Sequence, residues 1–506
     1  MRRTAAVTTL GVTALLAALA HPATADASSP CAVFDATKRT DPLLGQGLSL
    51  STPYTANYVP AGQPPRVDLV VTQPAEGTLT YTVRRRSTVL LSRSLPVPAA
   101  TTSLALPRTS PGAYQVEMTL KQNGRKTGTC LRYGVATPGS TLDLDALPDG
   151  RDWGGPAPER EVVLQKALGG GLVRRGVSFA QVLADPSAYD DSFRAAAARA
   201  KATGVLFDVQ VGAGGAAETA AIRTSAWEDG VRALVARQRG VVPYWEAWNE
   251  PNYDYFFKGA DPVTYVNKVL KPFSRAVHAA DPAAKVVGGS TYGMDLDWWK
   301  KFGKAGGFAY LDVVAVHAYQ WNSGWETSGI LQEFAALKRL KASYGAAAKP
   351  IWDTESGYRS LAEAGGPWAQ ADLAVRKVLW ERSLGVPTQS FLIEGGWEDW
   401  CVIDQYRGVK PAAMALDTQT TLLRGRAFAG MVTTKTKGVY AARFGGAHPG
   451  DQGLIAVWTD GHSKRLPLAA SHSGLDSTGG PLSVSRAMTV TGSVQYLRYT
   501  SGRPWL

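Results

Sequence analysis

Glu250 and Glu355 are the two acids of this sequence placed where chemistry could use them. Glu250 lies in Tyr244-Trp245-Glu246-Ala247-Trp248-Asn249-Glu250-Pro251-Asn252. Pro243 can open a strand but not sit inside a central one, and the aromatic run after it suits a short strand. The Asn-Glu-Pro-Asn cluster then ends pairing, because proline removes a backbone donor. Glu355 has the same setting: Lys349-Pro350 opens an apolar run that ends in Asp353-Thr354-Glu355-Ser356-Gly357. Barrels and open α/β sheets carry their chemistry at such strand ends. Two carboxylates there suit glycoside hydrolysis, which needs one protonated acid over the leaving oxygen and one ionised group at the anomeric carbon. The plain alternative for either is a solvated loop carboxylate.

The Trp-Asn-Glu-Pro motif, with the later Thr-Glu-Ser-Gly strand end, resembles the retaining (β/α)8 glycoside hydrolases of clan A. Family 39, which includes β-xylosidases and α-L-iduronidases, is the nearest likeness. It covers roughly residues 160 to 425 and is specific at the two strand ends. The resemblance implies that Glu250 is the acid/base and Glu355 the nucleophile, with carboxyl groups ~5–5.5 Å apart. It further implies that Asn249 bonds the sugar 2-hydroxyl and that Arg174 lies near the nucleophile. His317 and Tyr319 match a His-x-Tyr pair on one strand face, Tyr319 donating to Glu355 and His317 positioning Glu250 or the substrate. Trp397, with Trp400 just after the last barrel strand, is read as a sugar-stacking platform. Each has a blander alternative: a surface cation for Arg174, satisfied core residues for His317, Tyr319 and Trp397. Glu246 and Asp353 are expected to point into the barrel toward buried bases. Glu394, Glu398 and Asp399 would read substrate hydroxyls or only solvate the rim.

The elements that must position these residues follow a helix–strand alternation from about Pro158 to Gly425. Strands are expected at Leu172–Arg174, Val205–Val209, Tyr244–Ala247, Lys285–Ser290, Leu311–Tyr319, Ile351–Glu355 and Gln389–Glu394. Helical stretches include Glu218 to Arg239 and Val263 to Ala280. A parallel barrel needs eight strands, and Thr141–Asp145 is the polar candidate for the first. On that count Glu250 ends the fourth strand and Glu355 the seventh. A doubly wound open sheet is the alternative, but Gly169-Gly170-Gly171 precedes a strand and is no phosphate loop.

At 506 residues the chain exceeds one core. Residues 1–25 read as a secretory leader: Arg2-Arg3, an apolar run from Ala5 to Ala20, then a small-residue cleavage site ending at Ala25. Residues 31–137 read as a β-sandwich of short antiparallel strands, a packing module more than a glycan binder. Residues 140–425 form the expected (β/α)8 barrel, and 426–506 a small β-domain. The chain has three cysteines. Cys31 and Cys130 bracket the sandwich and are expected to be bridged in an oxidising compartment, with Cys401 a buried apolar filler.

Net charge is +12, yet the basic residues are scattered apart from Arg84-Arg85-Arg86 and Lys300-Lys301, giving no nucleic-acid stripe. A basic surface favours an anionic polysaccharide. No histidine pair has metal-ligand spacing, so neither metal nor cofactor is expected. No Gly-x-Ser-x-Gly elbow argues for an esterase. No apolar run after the leader reaches the ~18 residues of a membrane span. Two readings remain: a secreted retaining glycosidase acting on a poly- or oligosaccharide, and a non-catalytic glycan-binding protein on the same scaffold.

Overall fold

The computed structural model describes Cys31 and residues 48–500, apart from 72–75, 98–101, 107–109, 148–150, 153–154, 157, 388–398, 405–407, 446–447 and 449. The leader, the strand expected at Gln389–Glu394, and Trp397, Glu394 and Glu398 therefore lie outside the described residues.

At the centre is a curled sheet of six parallel strands in chain order: β1 (Leu172–Val177), β2 (Leu206–Val211), β3 (Tyr244–Ala247), β4 (Lys285–Tyr292), β5 (Val313–His317) and β6 (Ile351–Asp353). Side chains alternate across it, as strand geometry requires. Leu172, Val313, Ala315 and Trp352 meet on the concave side with Leu206 and Tyr244. Val173, Phe207, Trp245, Val286 and Val314 join Phe193, Val231, Phe273 and Phe302 of the surrounding helices in the main core. Polar residues of the first parity, Arg174, Asp208, Glu246 and His317, therefore enter the sheet's interior.

The expected first strand at Thr141–Asp145 does not form. Asp143 accepts from the backbone N–H of Asp145 and Ala146, and Ser140 from that of Leu142. These local bonds consume the donors a ladder would need. Leu142 and Leu144 are still buried, so the segment fills the core without pairing. Glu250 thus follows the third described parallel strand and Glu355 the sixth.

Two helices also differ from expectation. The stretch 218–239 is two helices, Ala216–Ala221 and Ala226–Arg237. Thr224 accepts from Ala226 N at the break, a side-chain bond that competes with the helix. The stretch 263–280 stays continuous but contains a π-turn over Tyr265–Leu270, with Lys271 N bonding Val266 O. Pro272 follows immediately; it offers no N–H, and the wider turn absorbs the missing bond.

β-rich regions flank this body. Residues 48–135 give a three-stranded and a five-stranded sheet around Val67, Leu69, Tyr81, Val83, Val116 and Met118. Cys31 and Cys130 are bridged, Cα atoms 5.0 Å apart, and Cys401 is buried. Beyond residue 425 a six-stranded sheet uses both faces. Along Gln452–Thr459, Leu454, Ala456 and Trp458 pack on the main core, while Ile455 and Val457 face the sheet's own small core.

The Arg84-Arg85-Arg86 run joins all three regions. Arg84 pairs with Glu117 (3.1 Å) and Arg85 with Asp476 (2.6 Å). Arg86 pairs with Asp372 (2.6 Å) and stacks over Trp368. Asp417 makes a second joint, accepting from Ser140 and Tyr58; burial pushes its carboxyl up to about 6. Among the described residues no helix is long and apolar enough to cross a membrane.

Candidate active site

The end of β3 is bent into the mouth of the sheet by unusual backbone. Trp248 and Glu250 have φ of 72° and 42°, and Ser290, opposite, 40°. Left-handed conformations of non-glycine residues cost about 1–3 kcal/mol each and persist only when their surroundings hold them. Here Trp248 N bonds Val211 O (2.9 Å), Glu250 N bonds Ser290 O (3.1 Å), and Trp248 Nε1 bonds Phe256 O (3.0 Å). Tyr265 fixes the strand itself, its hydroxyl donating to Ala247 O at 2.7 Å.

Arg174, the third residue of β1, organises the floor. Its side chain is only 9% exposed, so it is not a surface cation. Nε and Nη2 both reach Glu246 Oε1 (2.8 and 2.6 Å), Nη1 donates to Glu355 Oε2 (2.8 Å), and Nη2 donates to Asn249 Oδ1 (2.8 Å). Burial opposes its charge, but Glu246 and Glu355 outweigh burial and hold its pKa above the usual value. Arg175, next in sequence, instead faces Glu161. Asn249, with its oxygen held, is left with its amide nitrogen to donate.

Beneath lies Asp208, which the sequence reading did not single out. Burial and the charge of Glu246 push its carboxyl well above the normal range. Burial would do the same to Glu246, but Arg174 outweighs it and the shift is downward. Of this pair, burial thus disfavours charge on Asp208, while Arg174 favours it on Glu246, which in turn anchors Arg174. A single acid inside an apolar strand gives little sequence signal beyond its parity with Arg174.

The two expected carboxylates meet above this floor. Tyr319 Oη donates to Glu355 Oε1 (2.8 Å), so both oxygens of Glu355 are engaged. Burial and the Glu355 charge raise the Tyr319 hydroxyl well above its ordinary pKa, keeping it a donor. His317 Nδ1 lies 2.8 Å from Glu250 Oε1 and 3.9 Å from Glu355 Oε2. Burial alone would lower its pKa, but the Glu355 charge and the bond to Glu250 prevail and raise it. An oxygen of each glutamate and a nitrogen of His317 all lie within 4.8 Å of one another. That spacing would also suit a metal ion, but Arg174 already pairs with Glu355 and His317 with Glu250, which fits internal pairing better.

Glu246 enters the concave interior of the sheet and meets a base, Arg174, as expected. Asp353 does not point inward. Its parity is opposite to that of Trp352, so it leaves the convex side of β6 and pairs with Lys377 (3.1 Å) of the helix Gly366–Leu384; Lys377 also pairs with Glu381 (2.6 Å). Asp399 pairs with Arg359 (2.6 Å), a rim contact. Trp400 lies edge-on to Tyr319, ring centres 5.2 Å apart.

No family model matches the sequence, and no curated protein matches it significantly. Solved structures do. A family 39 glycoside hydrolase from the gut symbiont Bacteroides cellulosilyticus is 17% identical with a TM-score of 0.62, covering 88% of this chain and 99% of its own. A family 30 endoxylanase from Clostridium papyrosolvens is 13% identical with a TM-score of 0.48, covering 68% of this chain and 93% of its own. A glucosidase from Croceicoccus marinus is 12% identical with a TM-score of 0.48, covering 68% and 92%. The resemblance to family 39 read from two strand ends thus extends to the fold of nearly the whole described chain.

Proposed function

We propose that this chain is a retaining glycoside hydrolase that cleaves O-glycosidic bonds of a poly- or oligosaccharide by double displacement. The observation that carries the reading is the Glu250–Glu355 pair, with oxygens within 4.8 Å and with different partners. A gap of that size suits the ~5–5.5 Å carboxyl separation of retaining enzymes, and is short of the ~6.5–9.5 Å that an inverting enzyme needs for water. Glu355, gripped by Arg174 and Tyr319, is oriented as the nucleophile that bonds the anomeric carbon. Glu250, reached by His317, protonates the leaving oxygen and then takes a proton from the attacking water. Asn249, its oxygen held by Arg174, offers its amide to the 2-hydroxyl. Bonds that tighten only as charge develops at the sugar lower the barrier.

The finer architecture belongs to the same proposal. The six parallel strands linked by helices support a barrel of the (β/α)8 kind over 140–425, whose closing strands are not among the described parallel ones. Gln389–Glu394 and Trp397, outside the described residues, keep their roles here as proposals only. The flanks at 31–137 and 426–506 would be packing domains. Export through residues 1–25 fits the Cys31–Cys130 bridge, since disulfides persist in oxidising compartments. The substrate is expected to be an exported polymer, with the basic charge favouring an anionic one.

A screen of 4-nitrophenyl glycosides and of plant and bacterial polysaccharides tests the reading. Reducing ends should appear with the parent protein and disappear with both Glu250→Ala and Glu355→Ala. Turnover surviving in both variants would overturn it. Binding without turnover in the parent would turn the reading to a glycan-binding protein.

A further inference from the structure

Four large aromatic side chains of the described residues stand in water along one part of the mouth: Tyr253 (47% exposed), Tyr255 (77%), Tyr292 (38%) and Trp321 (49%). They come from the segments that follow β3 and β5 and from the last residue of β4. Apolar surface gathered in one place on a protein commonly marks a binding site.

The rings stand in two runs. Tyr253 stacks on Tyr292 with centres 5.5 Å apart, and Tyr255 lies 6.2 Å from Tyr253. Trp321 and the charge of Glu250 both act on the Tyr292 hydroxyl. Trp321 lies 5.8 Å from Trp400 and 6.3 Å from Tyr319, whose hydroxyl holds Glu355. One run of rings, Tyr255, Tyr253 and Tyr292, thus stands in open water, and a second, Trp321 with Trp400 and Tyr319, leads to the carboxylate pair.

The rings are also held in place. Asn252 bonds Tyr292 twice, donating to its carbonyl (3.0 Å) and accepting from its N–H (2.8 Å). Tyr253 N bonds Glu250 O (2.9 Å). Behind the 253–256 loop, Gly214 approaches so closely that a Cβ there would stand 2.0 Å from Phe256 O. Trp321 itself is kept at φ 50°, a conformation few tryptophans adopt. Rigid rings lose little entropy on binding, and preorganised surface gains affinity on that account.

We propose that Tyr253, Tyr255, Tyr292 and Trp321 form a stacking surface for the leaving-group side of an oligosaccharide, longer than one sugar unit. This rests on the assignment of Glu250 as the acid. The general acid stands over the glycosidic oxygen, so the sugar beyond that oxygen departs along the walls nearest Glu250. Those walls are the 251–256 loop, the end of β4 and, through Tyr292, Trp321. Each ring pairs an apolar face with a polar edge, as a pyranose with axial C–H groups and equatorial hydroxyls requires. Three rings joined by steps of 6.2 and 5.5 Å offer more faces than one sugar needs.

The test compares Tyr255→Ala, Tyr253→Ala and Trp321→Ala with the parent full-length chain. Each is assayed on the 4-nitrophenyl glycoside found in the screen and on a hexasaccharide of the same sugar. The ratio of kcat/KM for hexasaccharide to that for aryl glycoside should fall at least tenfold in Tyr255→Ala or Trp321→Ala, mainly through KM. An unchanged ratio, or equal loss on both substrates, overturns the proposal. A second readout does not need turnover: tryptophan fluorescence of Glu250→Gln titrated with xylohexaose, cellohexaose and a hexameric galacturonate. Binding that weakens tenfold when Trp321→Ala or Tyr255→Ala is added supports the surface even if the parent hydrolyses nothing. Binding indifferent to both changes, or no binding by folded protein, overturns it while leaving any aryl-glycosidase activity standing.

Discussion

Two buried ionic clusters flank the same sheet, one inside and one outside. Inside, Arg174 joins Glu246, Asn249 and Glu355 and is supported from below by Asp208. Outside, Lys377 lies between Asp353 of β6 and Glu381 one helical turn on. Both hold a cation against a fully buried acid, though Glu355 of the inner cluster stays 31% exposed at the mouth, and both require each partner to answer another. They differ in direction. The planar guanidinium divides its donors among three residues and transmits the position of a buried acid to the mouth. The ammonium meets its two acids, Asp353 and Glu381, from the helix layer. Asp353 and Glu355 are two residues apart, yet one secures a helix and the other faces the opening. Burial and charge alone therefore do not mark a functional acid; what its partners touch does.

The largest effect should separate the clusters by readout. Lys377→Met leaves Asp353 and Glu381 buried without their cation and should cost about 3–5 kcal/mol of stability. Denaturant unfolding measures the loss, and kcat of the folded fraction should stay within about twofold of the parent. Arg174→Lys keeps the charge but loses the fork, so kcat/KM should fall ~100-fold through misplacement of Glu355 and Asn249. If Lys377→Met harmed kcat as strongly, the contrast between the clusters would fail.

A smaller effect concerns the second grip on Glu355. Tyr319→Phe removes one hydrogen bond to a charged group and should lower kcat about tenfold, with little change in melting temperature. A loss confined to KM would contradict the role given to that hydroxyl.

The smallest effects are in pH dependence, and here the clusters should share a sign. His317 has its pKa raised above 6.5 in the fold by the neighbouring glutamates, against burial. A raised folded pKa gives stability fully present below the unfolded value and lost as pH rises through the folded one. The melting gap between parent and His317→Asn should thus be about 2 °C wider at pH 5.5 than at pH 9. Glu381 is also raised, chiefly by burial. The parent should lose stability relative to Glu381→Gln as pH climbs from about 4.5, the ordinary value for glutamate. Opposite slopes would show that one of these groups has a different partner in solution.

Much of the site was legible because its parts carry strong local grammar. A proline-opened apolar run ending in an acid and a turn places Glu250 and Glu355 without further help. His317 and Tyr319 follow from strand parity. Asp208 was illegible because a lone acid in Leu-Phe-Asp-Val shows its meaning only once Arg174 and Glu246 lie beside it. Asp353 was misread because the strand ends at Asp353, so the parity that governs it does not carry through to Glu355. In the fold, Thr141–Asp145 alternates as a strand should, but the Asp143 side chain takes the backbone donors first. The aromatic surface combines Tyr253, Tyr255, Tyr292 and Trp321 from two loops and the end of β4, and no short sequence window contains them all.

The most direct test of the central claim is intact-protein mass analysis after reaction with a 2-deoxy-2-fluoro glycoside of the sugar that is turned over. The account predicts a mass gain of one fluoroglycosyl group, located on Glu355 by peptide mapping and absent from Glu355→Ala. Attachment at another residue, or inactivation-free turnover that yields the inverted anomer, would contradict it.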